Sequence, residues 1–205
     1  MNQAASIVRT GRKFDQVIEG ARKVFLVDGF EGASVDDIAR AAGVSKATLY
    51  SYFPDKRLLF VEIARAECQR MAERTVDMID QSRAPEEVLT FAARQFVPFM
   101  LSDFAIRMFR ICAAESDRFP ELGANFYASG PEMGRDRIAE YLETATARGE
   151  LKIDDYQFAA DQFSELCKSK LWIRAVFGIQ TEFSQNEIHA VIDEAVKTFM
   201  ARYGA

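Results

Sequence analysis

Residues that bind metals or form disulfides are scarce in this sequence. The 205-residue chain has one histidine, His189, and three widely separated cysteines, Cys68, Cys112 and Cys167. A structural zinc site needs clustered cysteine and histidine ligands, and a disulfide framework needs paired cysteines in a short secreted chain. We therefore expect reduced, partly buried thiols and no metal site.

Catalytic motifs are missing as well. The sequence has no GxSxG, P-loop or GxGxxG pattern, and no second histidine or cysteine lies close to His189. Adjacent carboxylates sit at predicted helix starts, where the helix dipole accounts for them. These pairs are Asp36-Asp37, Glu86-Glu87 and Asp154-Asp155. We expect no cofactor, and we do not expect an enzyme.

Long hydrophobic runs are also absent. No apolar run approaches the roughly 18 residues that a membrane-spanning helix needs. The first residues, MNQAASIVRTGRK, lack the hydrophobic core of a secretory signal. We therefore expect a cytoplasmic protein without a membrane partner. The length and the 49% hydrophobic content suit one large domain, or a small domain fused to a larger one.

The chain has no overall excess of positive charge, and its formal net charge is −5. Residues 1–60 nevertheless contain nine Lys and Arg against seven Asp and Glu, whereas the rest contains 17 against 24. A mildly basic N-terminal end on an acidic body suits a protein that meets a polyanion at that end. A chance asymmetry would give the same numbers, so charge alone does not decide.

Strand signals are lacking, because no segment rich in Val, Ile and Thr alternates with a period of two. Apolar residues recur at three- and four-residue steps instead, which predicts an all-α protein. Four helices are expected first: from about Phe14 to a stop at Gly29, from Ser34 to Gly43, from Ser45 to Phe53, and from Lys56 into the eighties. Later helices are expected at 85–101, 103–115, 131–148, 154–178 and 184–203.

Capping residues support several of these helix starts. Ser34, Ser45 and Asp55 each precede a predicted helix and can accept a hydrogen bond from its first-turn amides. Ser184 with Glu187 three residues later forms a capping box for the last helix.

The stretch Ile38–Phe53, IARAAGVSKATLYSYF, has the spacing of a helix-turn-helix. Two short helices that cross steeply need a small residue where they touch and a glycine in the turn. Ala39 and Gly43 stand at those positions. The residues that would lock the two helices together are Ile38, Ala42, Val44, Leu49 and Tyr52. A chance helical hairpin is the alternative, but the full set of positions favours the helix-turn-helix.

The run SVDDIARAAGVSKATLYSYFPDKRLLF resembles the DNA-binding domain of the TetR/AcrR (tetracycline-repressor) family of bacterial transcription regulators. The likeness lies in the pattern Ile-Ala-x-x-Ala-Gly-Val-Ser-x-x-Thr-Leu-Tyr-x-Tyr-Phe followed by a lysine. It implies a three-helix DNA-binding domain at 1–55, joined by the long fourth helix to a helical effector-binding and dimerisation domain at 56–205. The implied partners are a palindromic double-stranded operator, a second copy of the chain and a small hydrophobic effector.

The resemblance assigns DNA contacts to the third helix and its surroundings. Lys46 would donate to guanine O6 or N7, Ala47 would touch a thymine methyl, and Tyr50 would reach bases or the sugar-phosphate edge. Leu49 and Phe53 should point inward. The predicted phosphate contacts are Ser34, Thr48, Tyr52 and Lys56, and the full predicted DNA-contact set is Ser34, Ser45, Lys46, Ala47, Thr48, Tyr50, Tyr52 and Lys56.

Asp36 departs from the family pattern. Some members place a basic or polar residue at this position toward DNA, whereas a carboxylate is repelled by phosphate. Asp36 is therefore predicted to interact with the dipole of its own helix.

Pairing of two chains is expected because one short recognition helix reads too few bases. The resemblance implies that the last two long helices form a four-helix bundle with those of a second copy. A wholly buried core helix in a monomer is the alternative. The predicted dimerisation residues are Phe163, Leu166, Ile173, Ile188, Val191, Ile192, Ala195 and Phe199.

The middle of the chain is rich in Phe and Met, which usually form core but also line adaptable apolar pockets. The resemblance implies a regulator, most simply a repressor, that a small ligand releases from DNA. The predicted pocket residues are Phe96, Met100, Phe104, Met108, Phe126, Phe163 and Trp172. An activator, and a regulator controlled by a protein partner or by its abundance, remain open.

Overall fold

The computed structural model describes residues 11–78, 82–117 and 119–205. Regular structure in these residues is helical, apart from one isolated antiparallel bridge between Leu151 and Gly204, so the all-α prediction is confirmed. The helices are α1 (Arg12–Gly32), α2 (Val35–Ala42), α3 (Lys46–Tyr52), α4 (Lys56–Met78), α5 (Pro85–Met100), α6 (Asp103–Glu115), α7 (Pro120–Tyr127), α8 (Met133–Ala147), α9 (Tyr156–Lys168), α10 (Trp172–Val176) and α11 (Gln185–Tyr203). In the described parts of the chain, no helix combines the length and the apolar character that crossing a bilayer requires.

The chain divides into two compact units. The N-terminal unit comprises the residues up to Glu67 together with Arg107–Phe126, and the C-terminal unit comprises Cys68–Ile106 and Tyr127–Ala205. This division differs from the predicted boundary after residue 55, because the N-terminal unit also includes the start of α4 and most of α6 and α7. As a result, α4 and α6 each begin in one unit and end in the other.

Side-chain caps define the helix starts that the sequence predicts. Ser34 and Ser45 each accept a hydrogen bond from the amide of the third residue of their helix, at 3.0 and 3.1 Å. Asp55 accepts one from an amide in the first turn of α4 at 2.8 Å. Both halves of the predicted capping box at α11 are present between Ser184 and Glu187.

Two predicted helix ends in the first part of the chain need comment. Gly29 has φ 67° and ψ −174°, which kinks α1 there, but a further turn follows to Gly32. Glycine adopts such a conformation without steric cost, so the predicted stop is a kink. The predicted extension of the fourth helix into the eighties includes residues 79–81, which lie outside the described residues.

The helix predicted at 154–178 is two helices. Between the end of α9 at Lys168 and the start of α10 at Trp172, Lys170 has a φ of 63°, in the left-handed region. A residue in this conformation cannot continue an α-helix. Lysine is otherwise a good helix former, so nothing local in the sequence marks the break.

Pro131 lies inside a π-helical turn, Ala128–Glu132, and not at the start of a helix as predicted. Proline has no N–H to donate to the helical ladder, and its ring crowds the preceding turn. A wider turn of this kind inserts an extra residue while the backbone stays helical. It joins α7 to α8 without a break in the helical path.

The core of the C-terminal unit forms where α11 packs against α5 and α9, and where α9 packs against α8. Phe163 and Phe199 meet edge to face with ring centroids 5.4 Å apart. This packing corrects part of the dimerisation prediction, because side chains buried in the chain's own core cannot form a contact surface. The corrected residues are Phe163, Ile188, Ile192, Ala195 and Phe199.

The other predicted dimerisation residues lie differently. Leu166 and Val191 are partly buried against the same core, whereas Ile173 on α10 is 57% exposed.

Candidate nucleic-acid interface

The turn between α2 and α3 has the geometry that the sequence predicts. Gly43 ends α2 in the left-handed region, with φ 64° and ψ 33°, and its amide bonds back to the carbonyls of Ala39 and Arg40. A Cβ at Gly43 would meet no atom within 4 Å. The glycine is therefore required by its positive φ and not by lack of space.

Buried apolar side chains hold α2 and α3 in place. Ile38 and Leu49 are almost completely inaccessible, and Phe53 at the end of α3 is fully buried, which confirms the inward positions of Leu49 and Phe53. Phe14 of α1 contacts two aromatic rings of this segment: Phe53 with centroids 5.8 Å apart, and Tyr52 edge to face at 5.9 Å. The two short helices therefore have a fixed scaffold beneath them.

Gly20 on α1 is a structural residue that sequence reasoning missed. A Cβ at this position would lie 2.5 Å from the Cα and the backbone nitrogen of Ala42, closer than non-bonded atoms can approach. The absence of a side chain lets α1 and α2 pack with their backbones together. The available signal was a glycine in the middle of an amphipathic helix, where glycine is otherwise unfavourable.

The outward face of α3 carries polar side chains. Ser45, Lys46, Ala47 and Tyr50 are exposed, with 49% of Tyr50 accessible, and Thr48 is half-buried. The Ser45 and Thr48 hydroxyls lie 2.9 Å apart in a mutual hydrogen bond. A short helix that presents an ammonium, hydroxyls, a methyl and a phenol on one face has the groups that contact base edges and phosphates in a major groove.

The two acidic residues at the start of α2 have different partners. The Asp37 carboxylate accepts hydrogen bonds from the Ser34 hydroxyl and from Arg40 Nη1, the latter at 2.7 Å. The bond from Ser34 is the first cause, and the bond from Arg40 the second, of a lowered pKa at Asp37. Asp36 instead forms an ion pair with Lys46 of α3. Its interaction therefore extends to the next helix and is not limited to the dipole of its own.

Lys56 makes contacts that the sequence did not predict. Its ammonium donates to the carbonyl of Phe30 at 2.8 Å and to that of Ala33 at 3.1 Å, and lies 4.3 Å from the Phe30 ring centroid. These acceptors follow the kink at Gly29. Two of the three N–H donors thus tie the start of α4 to the end of α1, and the predicted phosphate contact is left to the third.

A second contact at the start of α4 also went unpredicted. Arg57 forms ion pairs with Asp55 and with Glu115 at the end of α6, and its guanidinium lies 5.4 Å from the Phe119 ring centroid. All four residues belong to the N-terminal unit. This packing explains why part of α6 groups with the helix-turn-helix.

The predicted pocket residues are divided between the units. Met108 and Phe126 belong to the N-terminal unit, and the other five belong to the C-terminal unit. Met100 and Phe163 are buried in the core there, and Phe96 and Trp172 pack against it. Their role as a pocket stays a prediction. Within the described ranges, no group of three or more His, Cys, Asp or Glu side chains is arranged to hold a metal ion.

Comparison with known proteins identifies both parts of the chain. Residues 17–63 match the tetR family of bacterial regulatory proteins, and residues 87–205, more than half of the chain, match the C-terminal domain of AefR-like transcriptional repressors. Two solved structures are similar over 95% of this chain and 98% of their own. One is the flavonoid-responsive regulator FrrA, with 39% identity and a TM-score of 0.71. The other is a TetR-family transcriptional regulator from Mesorhizobium loti, with 27% identity and a TM-score of 0.82.

A curated relative matches the DNA-binding region. The transcriptional repressor AcnR of Corynebacterium efficiens is 41% identical over 58 residues, which are 28% of this chain and 31% of AcnR. This match therefore spans about a third of the repressor. The matches at both ends of the chain place it, as a regulator and not an enzyme, in the TetR family of DNA-binding transcriptional regulators.

Proposed function

We propose that this protein is a repressor that binds a palindromic operator as a homodimer and leaves it when a small hydrophobic effector binds. The observation that carries the proposal is the outward face of α3, where Lys46, Ala47 and Tyr50 are exposed on a buried scaffold. A regulator that reads chromosomal DNA works in the cytoplasm, which we propose as its location.

The readout of DNA bases would come from the first turns of α3. Lys46 is a donor suited to guanine O6 and N7, Ala47 offers a methyl for thymine, and Tyr50 reaches farthest from the helix. Ser34, Ser45 and Thr48 are hydroxyls near helix N-termini, where backbone amides also favour phosphate. In the free protein these hydroxyls bond to Asp37 or to each other, and on DNA they would exchange those partners for phosphate oxygens.

A second copy of the chain is supported by apolar surface on the C-terminal unit. Phe158 on α9, Ile173 on α10, and Phe177 and Ile179 just after it are exposed, the last two by 71% and 73%. Several large exposed apolar side chains in one stretch of sequence indicate a protein–protein contact. We propose that this stretch, 158–179, forms the centre of the dimer interface in place of the buried stripe on α11.

A dimer test follows from those exposures. We expect Phe177→Ser to raise the dimer dissociation constant by about 10- to 100-fold, since burying such a side chain contributes about 1.5–3 kcal/mol. Val27→Ser is the matched control, because Val27 is 83% exposed on α1 of the N-terminal unit. Sedimentation equilibrium measures both. Equal dissociation constants for Phe177→Ser and wild type would remove stretch 158–179 from the interface.

A planar aromatic effector is the class we propose first. FrrA is flavonoid-responsive and is 39% identical over nearly the whole chain. Phenylalanine and methionine side chains such as Phe96, Phe104 and Met108 suit an apolar ring system of this kind. Because α4 and α6 each run from one unit into the other, they are the elements through which a ligand would alter DNA binding.

The effector must bind the state that does not bind DNA more tightly than the state that does. Linkage then requires operator DNA to weaken effector binding by the same factor. Titration of a flavonoid panel against the protein, with and without operator, measures this coupling. Binding of equal strength in both titrations would contradict release by that ligand, and absence of binding would favour control by a partner or by abundance.

The DNA-binding test uses duplexes that the protein itself selects. Wild type, Lys46→Ala and Tyr50→Ala would be tested against the duplex that wild type enriches from a random pool, across a salt series. We expect a palindromic sequence whose binding falls at least about tenfold in each variant, since a good base contact contributes about 1–3 kcal/mol. A wild-type protein that enriches no sequence would overturn the proposal. Transcription from a promoter carrying that duplex then separates repressor from activator.

A further inference from the structure

We propose that Asp36 is a specificity determinant of the DNA interface, acting through Lys46. The inference rests on the proposed operator-binding function and adds a residue to it. Its basis is the ion pair between the Asp36 carboxylate on α2 and the Lys46 ammonium on α3. Lys46 is the only lysine on α3, and this pair joins it to the preceding helix.

Asp36 is not needed to start α2. The Ser34 hydroxyl accepts the amide of Asp37 at 3.0 Å and caps the helix. Asp37 itself is bonded to Ser34 and to Arg40, so the third position of the helix is also accounted for. Asp36 is the carboxylate of this turn that reaches α3.

The pair is also not needed to hold α2 and α3 together. Buried Ile38 and Leu49 and the turn at Gly43 already fix the two helices. The Asp36 and Lys46 side chains are 55% and 58% exposed, and ion pairs this exposed contribute little to stability. The contact therefore acts on the position of the ammonium more than on the fold.

Lys46 is the first residue of α3, where the helix dipole repels a cation. A lysine without a partner there would place its flexible ammonium on whichever phosphate came near, on any sequence. Asp36 compensates that charge and confines the ammonium to one side of the helix start. Its own negative charge also opposes close approach of phosphate to this turn.

These two effects act unequally on different DNA. On any duplex, removal of Asp36 frees a cation for a phosphate and removes a repulsion, which strengthens non-specific binding. On the operator, Lys46 has a base to bind, so loss of Asp36 adds little or disturbs its aim. Asp36 thereby raises the ratio of operator affinity to non-specific affinity.

The test measures that ratio for full-length variants. The probes are the duplex that wild type enriches most from a random-sequence pool and a scrambled duplex of the same length and composition. We expect Asp36→Asn to strengthen binding to the scrambled duplex by about 3- to 10-fold, with a salt slope steeper by roughly 0.9 for each lysine that gains a phosphate. Operator affinity should change by less than about twofold, so the ratio falls.

Two variants serve as controls. Asp36→Glu keeps the charge and the reach to Lys46, and should keep the wild-type ratio. Asp28→Asn removes one exposed carboxylate elsewhere on α1, and should leave the ratio unchanged. A ratio lowered by Asp28→Asn as much as by Asp36→Asn would overturn the proposal in favour of bulk charge.

A double-mutant cycle with Lys46→Met tests the route through the lysine. In the Lys46→Met background, Asp36→Asn should change the ratio much less than it does in wild type. An equal change in both backgrounds, or no change in either, would refute a role through Lys46. A wild-type protein that enriches no duplex would overturn the proposed function itself, which separates the two failures.

Discussion

The two units differ in where their large apolar side chains lie. In the helix-turn-helix, Ile38, Leu49 and Phe53 are buried beneath a surface that is polar apart from Tyr50. The C-terminal unit buries a larger core and still leaves Phe158 and Phe177 in the open. The first unit has enough apolar side chains for its own core, whereas the second has more than its core contains. A surface that reads DNA must stay polar, and a surface that pairs with another chain must not.

The largest expected effect separates the buried from the exposed aromatics of the C-terminal unit. Phe199→Ala should lower the free energy of unfolding by about 3–5 kcal/mol, because it removes a ring packed against Phe163 and Tyr203 and leaves a cavity. Denaturant unfolding followed by fluorescence of the single tryptophan, Trp172, measures this effect. Phe177→Ala is the control, and should change dimerisation far more than the stability of the unit. A small loss at Phe199 would contradict the core described for α11.

The next prediction tests the close approach of α1 and α2 in the N-terminal unit. Gly20→Ala should destabilise this unit by about 1–3 kcal/mol, because the new methyl would lie 2.5 Å from the Ala42 backbone. The same change at Gly134 in α8, where a Cβ meets nothing within 4 Å, should stabilise the protein by up to about 1 kcal/mol through helix propensity. Hydrogen exchange of the α1–α2 amides and thermal unfolding measure the two signs. Equal signs would mean that helix propensity outweighs packing at Gly20.

A smaller effect is expected where α4 joins α1. Lys56→Met should lower the stability of the N-terminal unit by about 1–2 kcal/mol, because the carbonyls of Phe30 and Ala33 lose their donor. Lys23→Met is the control, since Lys23 is 66% exposed and its nearest carboxylate, on Glu19, is 3.9 Å away. Thermal unfolding of both variants shows whether Lys56 stabilises the fold. An unchanged midpoint for Lys56→Met, with weaker DNA binding, would instead support the predicted phosphate contact alone.

The smallest effect concerns the cap of α11 and depends on pH. The backbone amide of Ser184 is the first cause, and its hydroxyl the second, of a pKa for Glu187 below its ordinary value of 4.5. A lowered folded-state pKa means that the ionised carboxylate stabilises the folded state. This contribution is complete above the ordinary glutamate pKa and is lost as the pH falls through the lowered folded-state value.

Carbon NMR titration of the Glu187 carboxyl checks that prediction. The midpoint should lie below the ordinary value in wild type and rise toward it in Ser184→Ala, where the hydroxyl is missing. Identical midpoints in the two proteins would contradict the capping role of the Ser184 hydroxyl.

The DNA-binding half was the more predictable one, for a local reason. The turn at Gly43, the caps at Ser34 and Ser45, and the inward positions of Leu49 and Phe53 depend on interactions within about 20 residues of chain. Amphipathic spacing and turn chemistry report such interactions directly. The contacts that were missed in this unit, at Gly20, Lys56 and Arg57, all join residues distant in sequence.

What the sequence by itself determined was the all-α fold, most helix starts and the family. The tertiary structure alone decided which apolar stripe is buried and which is free. The stripe on α11 and the residues Phe158 and Phe177 are equally apolar in sequence, and only packing against α5 and α9 distinguishes them. In the same way, the partner of Asp36 depends on where α3 brings Lys46. Periodicity records that a helix has an apolar face, whereas the neighbour that covers this face is set by the path of the whole chain.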